Sequence, residues 1–396
     1  MKYPPRSSYL FALLAACAVT CHAAEGPTMT ISGFGTVALT ATNNDDAEFA
    51  RPNQAKGVGN NWGTGPDSNF GVQGTAKFSD SFSTTVQGLV RKNATDNFGA
   101  ELTMAFMKYK MNDDFSFRLG RIGTPIYMIS DFRNVGYANT MLRPPAEVYR
   151  QVANMSFDGA DVVYTHGFGD TTLTVQAGVG NSTTEIAGNY DVKFKGLTSL
   201  HVVAENGPFT VRFGRADAKF DVVNNATLNL LQNTLMNAGL TQAANDFKIK
   251  DVRGSFTSLG ATLDYKNFLV QSEYAVRKTT SRAVQDTTSY YVMLGYRVGK
   301  FTPYYYYGNM KQDDGRTYTG LPQGAPAPLV GFANQVVRAG LQSTNALGMR
   351  WDFYKSAALK VQIDHITPRD GPGALVLKNG FKGPVNVYAV GVDFVF

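Results

Sequence analysis

The sequence predicts an all-β protein, a sixteen-stranded antiparallel β-barrel that spans a membrane. Three observations predict this fold: an alternating carboxyl-terminal segment, the same alternation along most of the chain, and connections that fall into two length classes. In the last segment one strand face carries Tyr388, Val390, Val392, Phe394 and Phe396, and the other carries Ala389, Gly391, Asp393 and Val395. A barrel in a bilayer needs this arrangement, with apolar side chains facing lipid and small or polar side chains facing water.

The same alternation recurs in segments along the chain, and an even number of them places both chain ends on one side of the barrel. The predicted strands are 29–41, 68–78, 82–92, 98–111, 115–122, 158–167, 171–180, 190–204, 209–219, 253–265, 268–278, 287–298, 301–311, 345–354, 358–367 and 385–396. Charged residues take the parity opposite to the apolar ones, as Lys108 and Lys110 do between Met107 and Tyr109. A charge facing lipid at mid-membrane costs about 2–4 kcal/mol, so we expect these charges to face a wet lumen.

Short connections rich in Asn, Asp, Gly and Ser are typical of tight hairpins. They occur at 79–81, 112–114, 168–170, 205–208, 266–267, 299–300 and 355–356, whereas 43–67, 123–157, 222–252 and 312–344 are long. Short turns at one end and long loops at the other are typical of outer-membrane barrels. Within the long loops, leucine spacing over 227–240 with Asn225 as a cap predicts a helix, and the proline-rich stretch 323–329 predicts an extended loop.

The amino terminus predicts export. Residues 1–23 have a positive start, an apolar centre from Tyr9 to Thr20 and a small-residue cleavage site, which together predict a secretory signal peptide. We expect one barrel domain, 24–396, after cleavage. A lipoprotein-like stretch ending at Cys17 leaves lipidation as an alternative. Since both cysteines precede the predicted cut, the mature chain is not expected to be a disulfide scaffold or a zinc-thiolate protein.

Composition and motifs exclude several other classes. No later stretch approaches 18 unbroken apolar residues, so a helical membrane protein is excluded. The net charge of +6 falls to +4 when Lys2 and Arg6 are removed, which gives no argument for nucleic acid. No known hydrolase, metalloprotease or phosphate-loop motif occurs, and the adjacent Asp364 and His365 point to opposite faces, so we expect neither an enzyme nor a cofactor. The acidic stretch 43–48 is a solvated loop or, alternatively, a divalent-cation site.

The segment 120–149 carries a family resemblance. Gly120-Arg-x-x-x-Pro at the exit of a strand, the long loop after it (the third loop), the stretch from Arg143 to Tyr149 and the terminal Phe396 resemble the general porins of Gram-negative bacteria. The resemblance implies a homotrimer in the outer membrane, passive diffusion of small hydrophilic solutes and ions, and a third loop folded inward to narrow each pore. It also implies that the barrel-assembly machinery recognises Phe396 during biogenesis.

The third loop holds many apolar residues, which favours burial over exposure to solvent. Folded inward, it brings two acidic side chains, Asp131 and Glu147, towards a basic wall. The candidates for that wall are Lys108, Lys110, Arg118, Arg121, Arg212, Arg297 and Arg350. Each of these charges is either a constriction residue or an ordinary lumen residue, and Arg121 shares the parity of Leu119 unless the strand bends near Gly120 or Gly123. Opposed charges across a narrow opening create a transverse field that filters solutes.

The excess of basic residues predicts a weak preference for anions. Two alternatives remain at this point: a substrate-selective outer-membrane channel, and a non-conducting surface adhesin or structural barrel.

Overall fold

The computed structural model describes residues 26–153, 156–369 and 373–396, so the predicted signal peptide and Cys17 lie outside the described residues. Sixteen strands form one closed antiparallel barrel in which each strand pairs with its neighbours in the chain, which confirms the predicted fold class. The barrel strands are β1 (Thr28–Thr42), β3 (Asn69–Lys77), β4 (Phe82–Lys92), β5 (Phe98–Lys110), β6 (Phe115–Gly123), β7 (Ser156–Phe168), β8 (Thr171–Ile186), β9 (Tyr190–Asn206), β10 (Phe209–Val223), β11 (Val252–Tyr265), β12 (Phe268–Thr279), β13 (Thr287–Tyr296), β14 (Phe301–Gln312), β15 (Leu341–Tyr354), β16 (Ala357–Arg369) and β18 (Val385–Val395). Two short strands, β2 (Ala47–Phe49) and β17 (Leu375–Leu377), pair separately.

The barrel closes where β1 pairs with β18, and the faces follow the predicted parity. Asp393 on the inner face is 1% exposed, whereas Phe396 on the outer face is 62% exposed. The rings of Phe394 and Phe396 lie over Gly35 and Gly33 of β1, where a β-carbon would collide with them. These glycines therefore allow the last aromatic side chains to lie flat on the outer wall.

The connections separate into two ends, as predicted. At one end the strands are joined by short turns, such as residues 169–170 between β7 and β8 and residues 266–267 between β11 and β12. All the long loops are at the other end, although β8 and β9 are joined there by residues 187–189 alone. Strand β1 starts and strand β18 finishes at the short-turn end.

The long loops carry helices α1 (Ala146–Tyr149), α2 (Ala226–Asn237), α3 (Thr241–Asp246) and α4 (Ala327–Val336). The side chain of Asn225 accepts a hydrogen bond of 3.0 Å from the Leu228 amide, which confirms the predicted cap and helix. The prediction of an extended loop over 323–329 is wrong from Ala327 onward, because Pro328 lies in the first turn of α4, where its missing N–H costs nothing. No helix in the described part of the chain is long and apolar enough to cross a membrane.

Candidate functional site

The third loop joins β6 to β7 and folds into the barrel, as predicted. Its first half packs against β11, β12 and β13. The ring centroid of Tyr127 lies 4.9 Å from that of Phe256 on β11 and 4.8 Å from that of Tyr149, which is on α1 of the same loop. The Glu273 carboxylate of β12 accepts hydrogen bonds from the Met128 amide at 2.9 Å and the Tyr149 hydroxyl at 2.5 Å. This contact combines aromatic packing with a fully buried acceptor, so it fixes the position of the loop on the wall.

A buried lysine anchors the other half of the loop. Lys360 of β16 is 0% exposed and lies 2.8 Å from Asp393. Its ammonium group donates to the carbonyl oxygens of Gly136 at 2.7 Å, Asn139 at 2.6 Å and Met141 at 3.1 Å. These carbonyls belong to an irregular segment with one turn of 3₁₀ helix, which cannot satisfy all its own carbonyl groups. Lys360 therefore provides the hydrogen-bond donors that these buried carbonyls need.

Glu147 was predicted at the constriction, and the structure contradicts this. It is 0% exposed, with one carboxylate oxygen accepting from Gln342 at 2.6 Å and from Thr344 at 2.5 Å on β15. Burial raises the pKa of the Glu147 carboxyl above its ordinary value. A carboxyl sealed between loop and wall cannot contact a passing solute, so Glu147 is an anchor of the loop.

Two predicted basic residues also lie behind the loop. Arg212 of β10 donates to the Met128 carbonyl oxygen, and Arg350 of β15 donates to the carbonyls of Tyr137 at 2.7 Å and Asn139 at 2.9 Å. These contacts make both arginines anchors of the loop backbone.

The wall residues that anchor the loop come from β10, β12, β15 and β16, so the inner faces of β5 to β8 lie opposite the seated loop. There Lys108 and Arg118 are direct neighbours across β5 and β6. Arg118 forms a bidentate pair with Asp161 of β7 at 2.9 and 2.5 Å, and its guanidinium lies 5.2 Å from the centroid of the Phe106 ring. Asp131 is exposed on the loop.

Three other predicted residues lie elsewhere. Arg121 is on the outer face, because alternation continues through Gly120, and it pairs with its register partner Asp158 at 2.7 Å; its prediction as a constriction residue is wrong. Lys110 pairs with Asp113 at 2.7 Å beside a short turn. Arg297 is at the same end of the barrel and pairs with Asp264 at 2.6 Å, so neither residue is beside the loop.

Sequence reasoning missed a group of basic residues where the first loop (residues 43–67), β4 and the third loop meet. They line a cavity of about 60 Å³, here called the arginine cleft, with Arg51, Arg91, Lys92 and Arg133 on its walls. The pKa of Arg133 is lowered to about 10, mainly by burial; the charges of Arg91 and Arg51 act in the same direction, and Tyr127 and Tyr149 oppose them. Arg91 shares the inward parity of its strand, but Arg51 and Arg133 lie in loops, where alternation gives no signal.

The acids around the cleft neutralise most of these cations. Arg91 pairs with Glu101 at 3.2 Å, Lys92 with Asp96 at 2.7 Å, and Arg51 approaches Asp67 at 3.9 Å. Among the described residues Arg133 has no carboxylate partner, so the cleft keeps an uncompensated positive charge. Nor do the described residues contain a group of three His, Cys, Asp or Glu side chains arranged to hold a metal ion.

A membrane barrel with an inward loop that leaves one wall of the lumen open is a channel. Residues 11–366 match the model of the Gram-negative porin family, and the chain belongs to that family. It is therefore an outer-membrane channel for small solutes.

Solved structures share this fold at low sequence identity. An anion-selective porin from Comamonas acidovorans is 15% identical with a TM-score of 0.56, covering 93% of this chain and 100% of that chain. Salmonella typhi OmpF in complex with daunomycin is 12% identical with a TM-score of 0.57, covering 94% of this chain and 98% of that one. The trimer form of OmpT from Vibrio cholerae is 16% identical with a TM-score of 0.55, covering 94% and 100%. No curated protein sequence matches the chain.

Proposed function

We propose that this porin passes small hydrophilic solutes by passive diffusion and favours anions. The observation that carries the proposal is the arginine cleft, which Arg133 of the loop lines together with Arg51 and Arg91 and where it forms no salt bridge with a carboxylate of the described residues. A similarly folded protein is described as an anion-selective porin, which supports the same preference here.

The physical basis is the field inside a narrow, low-dielectric opening. An unpaired guanidinium beside the path raises the local concentration of anions and lowers that of cations. Paired charges such as Arg118 with Asp161 cancel within a few ångströms and contribute little to that field. The preference therefore depends on a few unpaired cations and not on the total number of basic residues.

The reversal potential of the purified protein in a planar bilayer under a salt gradient tests this proposal. We expect the sign of an anion-selective pore, reduced in Arg133→Gln and unchanged in Arg121→Gln, whose side chain is on the outer face. Cation selectivity, or an unchanged potential in Arg133→Gln, would refute the preference. A barrel without any conductance would favour a non-conducting adhesin or structural barrel instead.

The finer biological features are part of the same proposal. We propose a homotrimer in outer-membrane lipid, supported by the structure of a similarly folded protein in a trimer form. We also propose that solutes cross chemically unchanged, that residues 1–23 are removed after export, and that the assembly machinery recognises Phe396. Native mass measurement in detergent counts the subunits, and amino-terminal sequencing of the mature protein locates the cleavage site. A monomeric mass would exclude the trimer.

A further inference from the structure

A large cavity lies at the long-loop end, next to the arginine cleft. It has a volume of about 780 Å³ and shares the lining residues Arg51, Val152 and Ala153 with the cleft, so the two adjoin. We call this cavity the vestibule. Its volume is within the range of about 300–1,000 Å³ typical of small-molecule sites.

One wall of the vestibule is apolar, although the interior of a water-filled barrel is ordinarily polar. The inner faces of β9, β10 and β11 and the start of α2 contribute Val192, Phe194, Phe220, Val222, Phe256 and Leu228. The rings of Phe194 and Phe220 are 5.8 Å apart between centroids. This wall binds the apolar part of a solute better than it binds water.

The remaining lining carries unbalanced positive charge. Arg150 and Arg277 both line the vestibule, and one terminal nitrogen of Arg150, Nη1, is buried and has no hydrogen-bond partner within the described residues. Arg277 donates to the carbonyl oxygens of Gln151 at 2.7 Å and Gln285 at 3.0 Å and not to a carboxylate. The one carboxylate in the described lining, Asp217, forms a pair with Arg215 on the outer face of β10.

A guanidinium that lines the same cavity as an apolar wall, and that keeps one nitrogen without a partner, favours an acceptor that carries an apolar body. A small inorganic anion would satisfy the charge and leave the wall in water, and an organic cation would be repelled. From this juxtaposition we infer that the vestibule is a binding site for amphipathic organic anions, a carboxylate joined to an aromatic or branched apolar group. The inference rests on the proposed channel function and names a solute class for it.

The test is reversible block of single-channel current by three probes. 4-Phenylbutyrate has both features, butyrate lacks the ring, and 4-phenylbutylammonium replaces the anion by a cation. We expect 4-phenylbutyrate to block at a concentration at least about tenfold lower than either of the other two, because butyrate lacks the apolar burial of the ring and the ammonium lacks the charged hydrogen-bond acceptor.

Two variants with matched controls identify the site. Arg150→Gln removes the free donor and is compared with Arg253→Gln, an exposed arginine on the outer face of β11 at the same end of the barrel. Leu228→Ser changes the apolar wall and is compared with Leu230→Ser, which is 60% exposed on the same helix and does not line the vestibule. We expect the first variant of each pair to weaken 4-phenylbutyrate block by about tenfold and its control to leave it unchanged.

The outcomes separate this inference from the channel proposal. Normal conductance with equal block by 4-phenylbutyrate and butyrate, or with block retained in both site variants, would overturn the vestibule site and leave the channel intact. Absence of conductance in the wild-type protein would instead overturn the channel. Because the probe comparison uses the wild-type protein, it decides the question even if one variant fails to fold.

Discussion

Replacing Lys360 by methionine should release the third loop and widen the pore. Lys360 is fully buried, pairs with Asp393 at 2.8 Å and donates to three loop carbonyls. Methionine keeps much of the side-chain length but removes every donor. The carboxylate of Asp393, 1% exposed, then keeps the Thr36 hydroxyl at 2.5 Å as a donor but loses its counter-ion.

The contacts that remain indicate which loss dominates. The Gly136 carbonyl still accepts from the Asn139 amide at 2.9 Å, and the Asn139 carbonyl still accepts from Arg350 at 2.9 Å. The orphaned Asp393 charge is therefore the main cost, and removing one partner of a buried ion pair costs about 3–5 kcal/mol. The backbone hydrogen bonds between the barrel strands do not involve the lysine side chain. The substitution should therefore mainly weaken the free energy that holds the third loop against the wall.

Single-channel conductance at high salt, where screening suppresses charge effects on permeation, is the appropriate assay. We expect a larger and noisier conductance in Lys360→Met. The double variant Lys360→Met/Asp393→Asn should recover a seated loop in part, because it leaves no buried charge uncompensated. Lys77→Met, which breaks an exposed pair with Asp80 in a short turn, is the control and should change nothing. Wild-type conductance in Lys360→Met would refute the anchoring role, as would a double variant more open than the single one.

Three further predictions concern the loop and the lumen wall. Burial raises the pKa of Glu147 above its ordinary value of 4.5, so its protonated form stabilises the seated loop fully below pH 4.5, and this stabilisation is lost as the pH rises through the raised pKa. Conductance should therefore rise with pH in the wild type and stay constant in Glu147→Gln. Equal pH profiles in the two proteins would contradict this. Arg118→Met leaves Asp161, whose side chain is 0% exposed, without its counter-ion and should lower the free energy of unfolding by about 3–5 kcal/mol, measured by denaturant unfolding. Arg121→Met, on the outer face, should lower it by less. The reverse order would exclude an inward Arg118. Gly214→Val places a β-carbon 2.5 Å from the Ile126 carbonyl oxygen of the loop, so it should push the loop away from the wall and raise conductance. Gly74→Val is the control, because its β-carbon would meet nothing within 4 Å. Equal conductance in the two variants would disprove the close approach of loop and wall.

Local patterns in the sequence were sufficient for most of the barrel. Alternation identifies a strand and its faces because both depend only on neighbouring residues, and it also assigned Arg121 to the side of Leu119, where the structure places it. Helix α2 was predictable because Asn225 caps it and leucines recur at helical spacing. The start of α4 is not predicted because a proline-rich stretch is typical of an extended loop, although a proline in the first turn also favours a helix.

The site depends on contacts between residues far apart in the chain, and parity gives no information about these. Alternation correctly turns Arg212 and Arg350 inward but cannot show that the loop covers them. Glu147 follows two prolines in a loop, and only the position of β15 makes it buried. Arg133 was missed for the same reason, because its importance comes from facing Arg51 and Arg91 across the cleft.

The basic residues inside the barrel have two different roles. Some donate hydrogen bonds to the backbone of the third loop, and others line the cavities that solutes enter. A loop folded into the barrel has only short helical turns, so many of its carbonyls need donors from outside the loop. Lys360, Arg350 and Arg212 supply those donors and are held behind the loop. Arg133 and Arg150 belong to the loop itself, line the arginine cleft and the vestibule, and form no salt bridge with a carboxylate of the described residues, although the charge of Glu147 acts on Arg150. Selectivity should therefore respond to substitutions at Arg133 and Arg150, and pore size to substitutions at the three anchors.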